Sequence, residues 1–325
     1  IITALLARAA RGRVFMELTR EECFLTHRGR PQTTTRIRLG LKRDGRITAC
    51  ECELQQRGGA YAGYGIVTIL YSGALLHALY AIPAVRYDGY RVYANLPPCG
   101  AMRGHGGVNV RHTFETLLDR MARELGLDPF AVRRANLLAA PTQTINGLIV
   151  NSYGLGTCLD AVERSSGWRE RRGRLPPGHG LGLACSHYVS GSAKPIHRTG
   201  EPHAVVNLKL DWDGGVTALT GAAEIGQGSS TMVAIAVAET LGLPLQCVRV
   251  IAGDSAITPK DNGAYSSRIT FMVGNAAIDA ARNLEKVLLA AAARTLAVAP
   301  ELIECRGGGF HLRHGGRAAL AFAEV

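Results

Sequence analysis

The sequence lacks the features that would mark a membrane-spanning or exported chain. None of its apolar runs approaches the roughly 20 residues that a helix needs to cross a bilayer, and residues 1–12 carry no signal-peptide cleavage pattern. Its eight cysteines include no Cys-x-x-Cys pair, which argues against a zinc or iron–sulfur site within this chain. A reduced, cytoplasmic location without membrane contact is therefore the expectation.

Aromatic residues are also scarce, at 6% of the chain, and none alternates with a cluster of basic residues. Nucleic acid is therefore not an expected partner, because single strands are held by basic grooves with interleaved aromatic rings. The net charge of +11 comes largely from arginines scattered along the chain. It suits either a surface that meets acidic partner subunits or attraction of a polyanion such as a nucleotide or coenzyme A ester.

The length of 325 residues allows two domains, each with its own core. Hydrophobic periodicity is lost around residues 137–154, so the expected domains are residues 1–145 and 146–325. Helix and strand patterns alternate in both, with hairpin turns at residues 43–45 (RDG) and 213–215 (DGG). The predicted class is α+β, with two mixed α/β domains.

Several local patterns make further predictions about the fold. Residues 14–18 and 182–189 are predicted as short strands, and a helix is predicted to begin at residue 318. Cys50 and Cys52 flank one residue of a predicted strand, so both side chains should point into the core. Because the chain begins without Met and stops inside that last helix, we expect a fragment that folds incompletely or binds no cofactor alone.

Residues 221–275 are the stretch around which the chain is organised. An apolar run leads into Gly226-Gln227-Gly228, and an Ala/Val-rich helix follows. A glycine turn at a helix start leaves backbone N–H groups free, and the positive end of the helix dipole suits an anion. A second polar loop, residues 261–267, opens the next long helix. The two helix starts could hold one phosphate-bearing ligand, although ordinary turn chemistry explains the pattern about equally well, since neither G-x-G-x-x-G nor a P-loop is present.

Two glycine-rich loops of the first half carry candidate functional side chains. GGAYAGYG at residues 58–65 contains Tyr64, and it either connects two elements or leaves edges available for a pocket. NLPPCGAMRGHGG isolates Arg103 and His105 among glycines, either exposed to solvent or as a fixed cation and a proton carrier in a pocket wall. Glu22 is either a solvated surface acid or a buried functional carboxylate.

A cationic insertion, SGSAKPIHRTGEPHA, lies between two predicted strands of the second half. The residues that make this region cationic and polar are His187, Lys194, His197, Arg198 and His203, and its expected role is contact with phosphates or with a partner subunit. The histidines have neither the helical nor the strand spacing of metal ligands, so a metal site is not predicted there.

Three motifs in one order carry a resemblance to a known family. GAMRGHGG before a helix that ends in DPFAVRRANLL, then GAAEIGQGSST, then PKDNGAYSSRITFMVGNAAIDAA resemble the molybdenum-binding large subunit of the xanthine oxidase family. Within that family, TREECFLTHRGRP, GGAYAGYGIVTILYSGALL and VSGSAKPIHRTGEPHA are most similar to the molybdenum subunits of 4-hydroxybenzoyl-CoA reductases. The resemblance covers essentially the whole chain.

This resemblance implies the molybdenum hydroxylase large-subunit fold and a cofactor. The cofactor is a molybdenum ion held by molybdopterin, extended to the cytosine dinucleotide, with no metal ligand expected from this chain. The implied cofactor-binding residues are Gly226, Gln227, Gly228, Ser266, Ser267, Arg268, Ile269 and Thr270. The implied partners are an iron–sulfur subunit and a flavin subunit, which carry iron–sulfur clusters and FAD, assembled as a dimer of heterotrimers.

The implied reaction is reductive dehydroxylation of 4-hydroxybenzoyl-CoA, an aromatic CoA thioester, to benzoyl-CoA in anaerobic aromatic degradation. Reduced ferredoxin would supply the electrons through the partner subunits. Arg103 matches the arginine of a loop that reads FRGFG in hydroxylating relatives, whereas Met102 and His105 replace its phenylalanines. Arg103, His105, Tyr64 and Glu22 are the candidate catalytic residues.

Three alternative functions stay open at this point. The first is a molybdenum hydroxylase that acts on an N-heterocycle or an aldehyde. The second is a non-catalytic basic module that binds nucleotides through the turn at Gly226. The third is a structural remnant that assembles with partners without catalysis.

Overall fold

A computed structural model describes residues 1–191, 202–315 and 318–325. The chain divides into two compact units, unit 1 from Ile1 to Tyr188 and unit 2 from Val189 to Val325. Both units contain helices and sheets, which confirms the predicted α+β class. Lys194, His197 and Arg198 of the cationic insertion lie outside the described residues.

Unit 1 is built on a three-stranded sheet in the order β1 (Thr33–Leu41), β2 (Ile47–Arg57) and β3 (Val85–Val92). β1 and β2 form an antiparallel hairpin through the predicted turn, where Gly45 has a φ of 86°, and β3 runs parallel to β2. Cys50 and Cys52 lie on the buried face of β2, as predicted. Burial raises the pKa of these thiols to about 12 and about 11, so both stay protonated.

The helices of unit 1 cover one face of this sheet and extend beyond it. They are α1 (Ile2–Ala10), α2 (Arg20–Thr26), α3 (Gly65–Leu76), α4 (Gly107–Glu124), α5 (Pro129–Arg134), α6 (Leu155–Ser166) and α7 (Trp168–Arg171), with a small hairpin of β4 (Thr142–Gln143) and β5 (Ile149–Val150). α3 is the crossover that the parallel pairing of β2 and β3 requires. α4 packs on α3 and β1 through Val110, Phe114 and Leu118, which recur every four residues and are fully buried.

A buried ion pair joins α4 to α5 and to the last segment of unit 1. Arg133, fully buried, donates to Glu115 Oε2 from Nε at 3.0 Å and from Nη2 at 2.6 Å. Nη2 also donates to the Leu183 carbonyl at 2.9 Å, and Glu115 accepts the Cys185 N–H at 2.9 Å. The strand predicted at residues 182–189 is therefore wrong: side chains from two helices bind its backbone at Leu183 and Cys185, and no strand of the described residues pairs with it.

Two other expectations about unit 1 concern its ends. Residues 14–18 form no strand, and neither α1 nor α2 on either side of them buries a residue. Beyond residue 145, Leu159 of α6 and Trp168 of α7 still belong to the core of unit 1. The compact units follow this packing, and the domain limits 1–145 and 146–325 stay a prediction.

Unit 2 contains two small sheets and two long helices. Its elements are β6 (Val206–Leu210), β7 (Val216–Thr220), α8 (Ser229–Leu241), β8 (Val248–Ala252), a π-helical turn (Ile269–Val273), α9 (Gly274–Leu296), β9 (Ile303–Arg306), β10 (Gly309–Leu312) and β11 (Ala318–Ala321), with short 3-10 turns at Leu245–Cys247, Pro300–Leu302 and Phe322–Glu324. β6 and β7 form the second predicted hairpin, and α8 connects β7 to the parallel strand β8. Val216, Val233 and Val273 are fully buried between the sheet and the two helices.

The helix predicted from residue 318 is wrong. β11 pairs antiparallel with β10, with Ala321 opposite Gly309 and Leu320 opposite Phe310. The segment lies at the edge of this sheet, and the helix was predicted from its alanines alone. Within the described residues, no helix is both long and apolar enough to cross a membrane.

We expect the buried ion pair to dominate the stability of unit 1. In a Trp212→Phe background, Trp168 in the core of unit 1 is the remaining tryptophan, and its fluorescence follows unfolding of unit 1 in urea. Glu115→Gln should lower the free energy of unfolding by about 3 kcal/mol, the lower end of the cost of breaking a buried ion pair, because it removes the buried partner of Arg133 and leaves only Asp119, whose side chain is 29% exposed.

Glu53→Gln is the matched control for this measurement. Glu53 pairs with Arg36 at 3.2 Å on the surface, where their side chains are 38% and 77% exposed, so its loss should cost about 0–1 kcal/mol. Equal losses for the two variants would contradict the importance of the Arg133–Glu115 pair.

Candidate functional site

In unit 1, the loop that carries Arg103 and His105 lies directly on α3. The Ser72 hydroxyl donates to the Gly106 carbonyl at 2.9 Å. Gly106 has a φ of 76°, and a Cβ built on it would lie 2.6 Å from Tyr71 Cβ and 2.7 Å from the Thr68 carbonyl oxygen. The loop can therefore approach α3 this closely only with glycine at position 106.

His105 is buried in this contact and does not project into solvent. Its Nε2 lies 2.6 Å from Thr68 Oγ1, and its ring stacks on Tyr71 at 5.4 Å between centroids, with 21° between the planes. The Tyr64 ring also contacts the imidazole, with 5.7 Å between the ring centroids and 30° between the planes. The side chain is 9% exposed, and burial, followed by the nearby Arg30 charge, lowers the pKa of His105. The imidazole is therefore neutral at neutral pH.

Arg103 differs from His105, because it is exposed. Its backbone carbonyl accepts a hydrogen bond from the Arg30 guanidinium, which fixes the loop while leaving the Arg103 side chain at the surface. The two candidate residues thus combine an exposed cation with a buried neutral ring.

His105 belongs to a row of four rings in successive contact, which we call the aromatic row: Tyr64, His105, Tyr71 and Tyr188. Tyr188 stacks on Tyr71 at 6.2 Å and 24°, and burial raises its pKa to about 12. Tyr64 is 44% exposed and lies at the open end of the row. This arrangement offers one accessible aromatic side chain backed by the buried ring of His105 and the half-buried rings of Tyr71 and Tyr188.

The other glycine-rich loop is shaped by a guanidinium. Nη2 of Arg91 donates to the carbonyls of Gly58 at 2.8 Å and Tyr61 at 3.2 Å. A Cβ on Gly65 would lie 1.2 Å from Arg91 Nη1, so this glycine leaves the space that the guanidinium occupies. The loop is thus held in one conformation beside the start of α3.

Glu22 has a local structural role. It forms a capping box with Thr19 at the start of α2: Glu22 Oε2 accepts the Thr19 N–H at 2.7 Å, and Thr19 Oγ1 accepts the Glu22 N–H at 3.2 Å. The backbone hydrogen bond from Thr19 lowers the pKa of this exposed carboxyl. Its candidate catalytic role stays a prediction.

In unit 2, a carboxylate occupies the amide groups at the start of α8. Glu224 Oε1 accepts from the Gly226 and Gly228 N–H groups at 2.9 and 3.0 Å, and Oε2 accepts from Ser229 Oγ and the Ser230 N–H at 3.1 and 3.2 Å. These bonds, that to Gly228 first, lower the pKa of Glu224 to about 2. The expectation that the glycine turn leaves these backbone N–H groups free is therefore wrong.

Gln227 also bonds within its own turn. Its Oε1 accepts the Ile225 N–H at 2.7 Å, and its Nε2 donates to the Ala223 carbonyl at 3.0 Å. Gly226 and Gly228 have φ values of 93° and 81°, and a Cβ on either would meet nothing within 4 Å. The turn is rigid, and it borders open space.

The second loop of unit 2 is held by a buried arginine. Arg268, fully buried, donates from Nη1 to Asp261 Oδ1 at 2.8 Å and to the Gly263 carbonyl at 2.9 Å, and from Nη2 to the His203 carbonyl. Its guanidinium therefore holds the loop together. Ile269 belongs to the core of unit 2.

Ser266 and Ser267 follow each other with φ values of 49°, in the left-handed region that side chains rarely adopt. The Gly191 N–H donates to the Ser266 carbonyl at 3.0 Å, and Ser190 Oγ donates to the Ser267 carbonyl at 3.2 Å. Ser267 and Thr270 are exposed. Paired strain of this kind persists where the surroundings enforce it, and it is typical of ligand-binding turns.

The two loops of unit 2 run side by side. A Cβ on Gly221, just before the first turn, would lie 2.2 Å from the Pro259 carbonyl oxygen and 2.8 Å from the Asp261 nitrogen. A Cβ on Gly274, at the start of α9, would lie 3.3 Å from Met232 Sδ in the first turn of α8. The first turns of α8 and α9 therefore lie against each other in unit 2.

The described residues contain no candidate metal centre, because no three His, Cys, Asp or Glu side chains of that part of the chain lie close enough to hold a metal ion.

The sequence analysis did not identify Thr68, Tyr71 or Glu224. Glu224 had a local signal, an acid just before a glycine turn and a helix. Thr68 and Tyr71 had none, since their partner His105 is 37 and 34 residues away along the chain.

Comparison with known proteins gives matches over most of the chain. Two protein families, each described as a molybdopterin cofactor-binding domain, match residues 1–137 and residues 161–325. A putative xanthine dehydrogenase molybdenum-binding subunit of Escherichia coli is 35% identical over 86% of this chain and 38% of its own length. The large subunit of nicotine 6-hydroxylase from Paenarthrobacter nicotinovorans is 27% identical over 89% of this chain and 37% of its own length.

Among solved structures, quinoline 2-oxidoreductase from Pseudomonas putida 86 aligns with 99% of this chain and 43% of its own, with a TM-score of 0.83 and 28% identity. The chain thus spans less than half of the length of each of these three relatives.

Gly106→Ala should destabilise unit 1 more than a matched change at Gly126. Both glycines have positive φ values, 76° and 71°, so each substitution carries a backbone cost of about 1–3 kcal/mol. Only Gly106→Ala also forces the loop away from α3, which should add about 1–3 kcal/mol, because nothing lies within 4 Å of a Cβ on Gly126. Urea unfolding followed by Trp168 fluorescence measures both, and similar losses would refute the close contact.

Glu224→Gln should loosen the start of α8 without affecting its far end. At pH 7, hydrogen exchange measured by mass spectrometry should accelerate in residues 226–230, whereas Glu239→Gln, an exposed change in the same helix, should leave it unchanged. Because the folded-state pKa is lowered from 4.5 to about 2, the stability that Glu224 contributes is complete above about pH 4.5 and is lost toward pH 2. The difference in urea midpoint between wild type and Glu224→Gln should shrink over that range, and a constant difference would contradict the capping role.

Proposed function

The chain belongs to the molybdopterin cofactor-binding family of the xanthine oxidase type, with the large-subunit fold of that family, and we propose that it forms part of the molybdenum-binding subunit of an oxidoreductase. The observation that carries the proposal is the pair of adjacent turns in unit 2, at Gly226–Gly228 and at Ser266–Ser267, at one end of two helices. Such a turn pair suits an extended ligand that carries phosphates.

The residues present fit a molybdopterin dinucleotide. Ser267 in the left-handed turn and Thr270 in the π-helical turn after it are both exposed, Ser266 shares the left-handed turn, and open space borders Gly226 and Gly228. In this proposal the serine turn holds the phosphates, and Gln227 lies beside the group. Arg268 acts indirectly by fixing the loop through Asp261. The cytosine dinucleotide form follows the resemblance, and when bound the group supplies two-electron oxygen-transfer chemistry.

We favour oxidative hydroxylation of a flat aromatic substrate, such as an N-heterocycle, as the reaction class. The relatives include xanthine dehydrogenase, nicotine 6-hydroxylase and quinoline 2-oxidoreductase, whose names refer to nitrogen-containing rings. The open end of the aromatic row suits such a ring, because Tyr64 offers a partly exposed ring edge and His105 a neutral hydrogen-bonding group. Arg103 would supply a surface cation beside it.

The second candidate is reductive dehydroxylation of 4-hydroxybenzoyl-CoA. The supporting observation is His105 itself, a polar group where the hydroxylating relatives carry a phenylalanine, stacked between two tyrosines. Reduction of a ring needs proton donors close to it, and His105 and Tyr64 are the side chains that this chain offers. The excess of arginine suits the phosphates of a CoA ester.

Partner subunits belong to the same proposal. The matched relatives are named as subunits, which supports a complex with an iron–sulfur subunit and a flavin subunit, and the resemblance supports a dimer of heterotrimers. Electrons would pass between the cofactor and these partners. All eight cysteines are unpaired, which supports a cytoplasmic location.

Molybdenum content tests the cofactor proposal in the complete protein that contains this chain. We expect the purified protein to hold molybdenum and to release a pterin and a cytidine nucleotide on acid hydrolysis. Ser267→Gly keeps the left-handed backbone but removes the hydroxyl, so it should stabilise the turn yet retain the cofactor about tenfold less well.

Ala297→Gly is the control, because Ala297 also has a positive φ, 55°, at the end of α9. It should leave molybdenum content unchanged. A complete protein without molybdenum would refute the proposed function, and equal molybdenum content in the two variants would refute the role of the serine turn. Turnover of N-heterocycles with an electron acceptor, against turnover of 4-hydroxybenzoyl-CoA with a low-potential donor, separates the two reaction classes.

A further inference from the structure

Thr68 is the residue that touches the functional atoms of His105. It lies in the first turn of α3, is 1% exposed, and places Oγ1 at 2.6 Å from His105 Nε2. Its backbone carbonyl shares the Ser72 hydroxyl, at 2.9 Å, with the Gly106 carbonyl. The Thr68–His105 contact joins α3 to the loop before α4 through two side chains.

The direction of this hydrogen bond follows from the fate of the hydroxyl proton. If His105 donated from Nε2, the Thr68 proton would need another acceptor, and among the described residues the Thr68 hydroxyl makes only the bond to His105. A buried hydroxyl without an acceptor costs free energy that a simple tautomer change avoids. Thr68 therefore donates to Nε2, and the proton of the neutral ring resides on Nδ1.

We propose that Thr68 is a positioning residue that holds His105 as the neutral tautomer with its proton on Nδ1. His105 then acts toward a substrate as a hydrogen-bond donor through Nδ1–H and not as a base through Nε2. This role toward substrate rests on the proposed function, whereas the tautomer rests on the contact alone.

The groups around the ring are consistent with a neutral imidazole. Arg30, on the segment beside the Arg103 loop, adds a positive charge nearby, and Tyr64, Tyr71 and Tyr188 present rings from α3 and from the end of unit 1. These neighbours disfavour an imidazolium, so the question that Thr68 decides is which nitrogen carries the proton.

The test compares Thr68→Val, which keeps the shape and removes the hydroxyl, with Thr68→Ser, which keeps the hydroxyl. Mass spectrometry of the complete protein can follow hydrogen exchange at Cε1 of the His105 imidazole as a function of pH. The pH dependence of this rate gives the pKa of His105 without an activity assay. Because Thr68 donates to the neutral ring, Thr68→Val should raise the pKa of His105 and Thr68→Ser should not. An unchanged pKa in Thr68→Val would overturn the proposal.

Turnover of the holoenzyme tests the role toward substrate. We expect Thr68→Val to lower kcat about tenfold with little change in KM, and Thr68→Ser to restore it. If the pKa moves while turnover stays constant, the tautomer stands but His105 does not act on the substrate, and the site assignment of the proposed function is wrong.

If Thr68→Val does not fold, a second pair of variants, His105→Asn and His105→Gln, tests the same proposal. His105→Asn places an amide nitrogen near the position of Nδ1, and His105→Gln places one near that of Nε2. Donation through Nδ1–H predicts that His105→Asn retains about tenfold more activity than His105→Gln. The reverse order would overturn the proposal.

Discussion

The buried pair of Arg133 and Glu115 is the constraint on which the rest of unit 1 depends. Removing two charges from water is costly, and the cost is offset because two N–H groups of Arg133 bind Glu115 Oε2 while both side chains also bind groups around them. Among these groups are the Leu183 carbonyl and the Cys185 N–H, so the ion pair holds a segment that pairs with no strand of the described residues. That segment ends at Tyr188, the ring of the aromatic row farthest from Tyr64. An interaction within the core thereby helps to position Tyr188, which stacks on Tyr71, the neighbour of His105.

Two glycines allow α3 to be approached closely, and these contacts form the candidate site of unit 1. α3 accepts the loop before α4 only because Gly106 has no side chain, and it accepts Arg91 only because Gly65 has none. The two contacts put the buried His105 and the partly exposed Tyr64 on the same helix surface. Loops that carry functional groups are usually the mobile part of a protein. Here hydrogen bonds to the backbone tie the loop before α4 to Ser72 of α3 and the loop before α3 to Arg91 of β3, so the rings are preorganised before any ligand arrives.

The sequence predicts those parts of this arrangement that depend on near neighbours. The spacing of Val110 and Phe114 identifies α4, because one helix face repeats every three to four residues. The burial of His105 was not predictable in this way, since a ring among glycines has no local pattern and its partner Thr68 lies inside an apolar helix far along the chain. Glu224 is intermediate: an acid before a helix start is a local capping signal, but attention to the glycines concealed it. Family motifs identified both regions without indicating which groups were already occupied.

The amides at the start of α8 already bind Glu224, and this affects which of the two turns of unit 2 suits a phosphate. The start of α8 has the more familiar glycine pattern, yet its positive end is already neutralised by the carboxylate of Glu224, which would repel a phosphate brought to the same amides. At the neighbouring turn, Asp261 is paired with the buried Arg268, so the carboxylate in that loop carries no unbalanced charge. Holding two residues in the left-handed region costs about 1–3 kcal/mol each, and Arg268 holds the loop in which they lie. The strained serine turn is therefore the one of the two suited to a phosphate, and the glycine turn is better suited to shaping the space beside it.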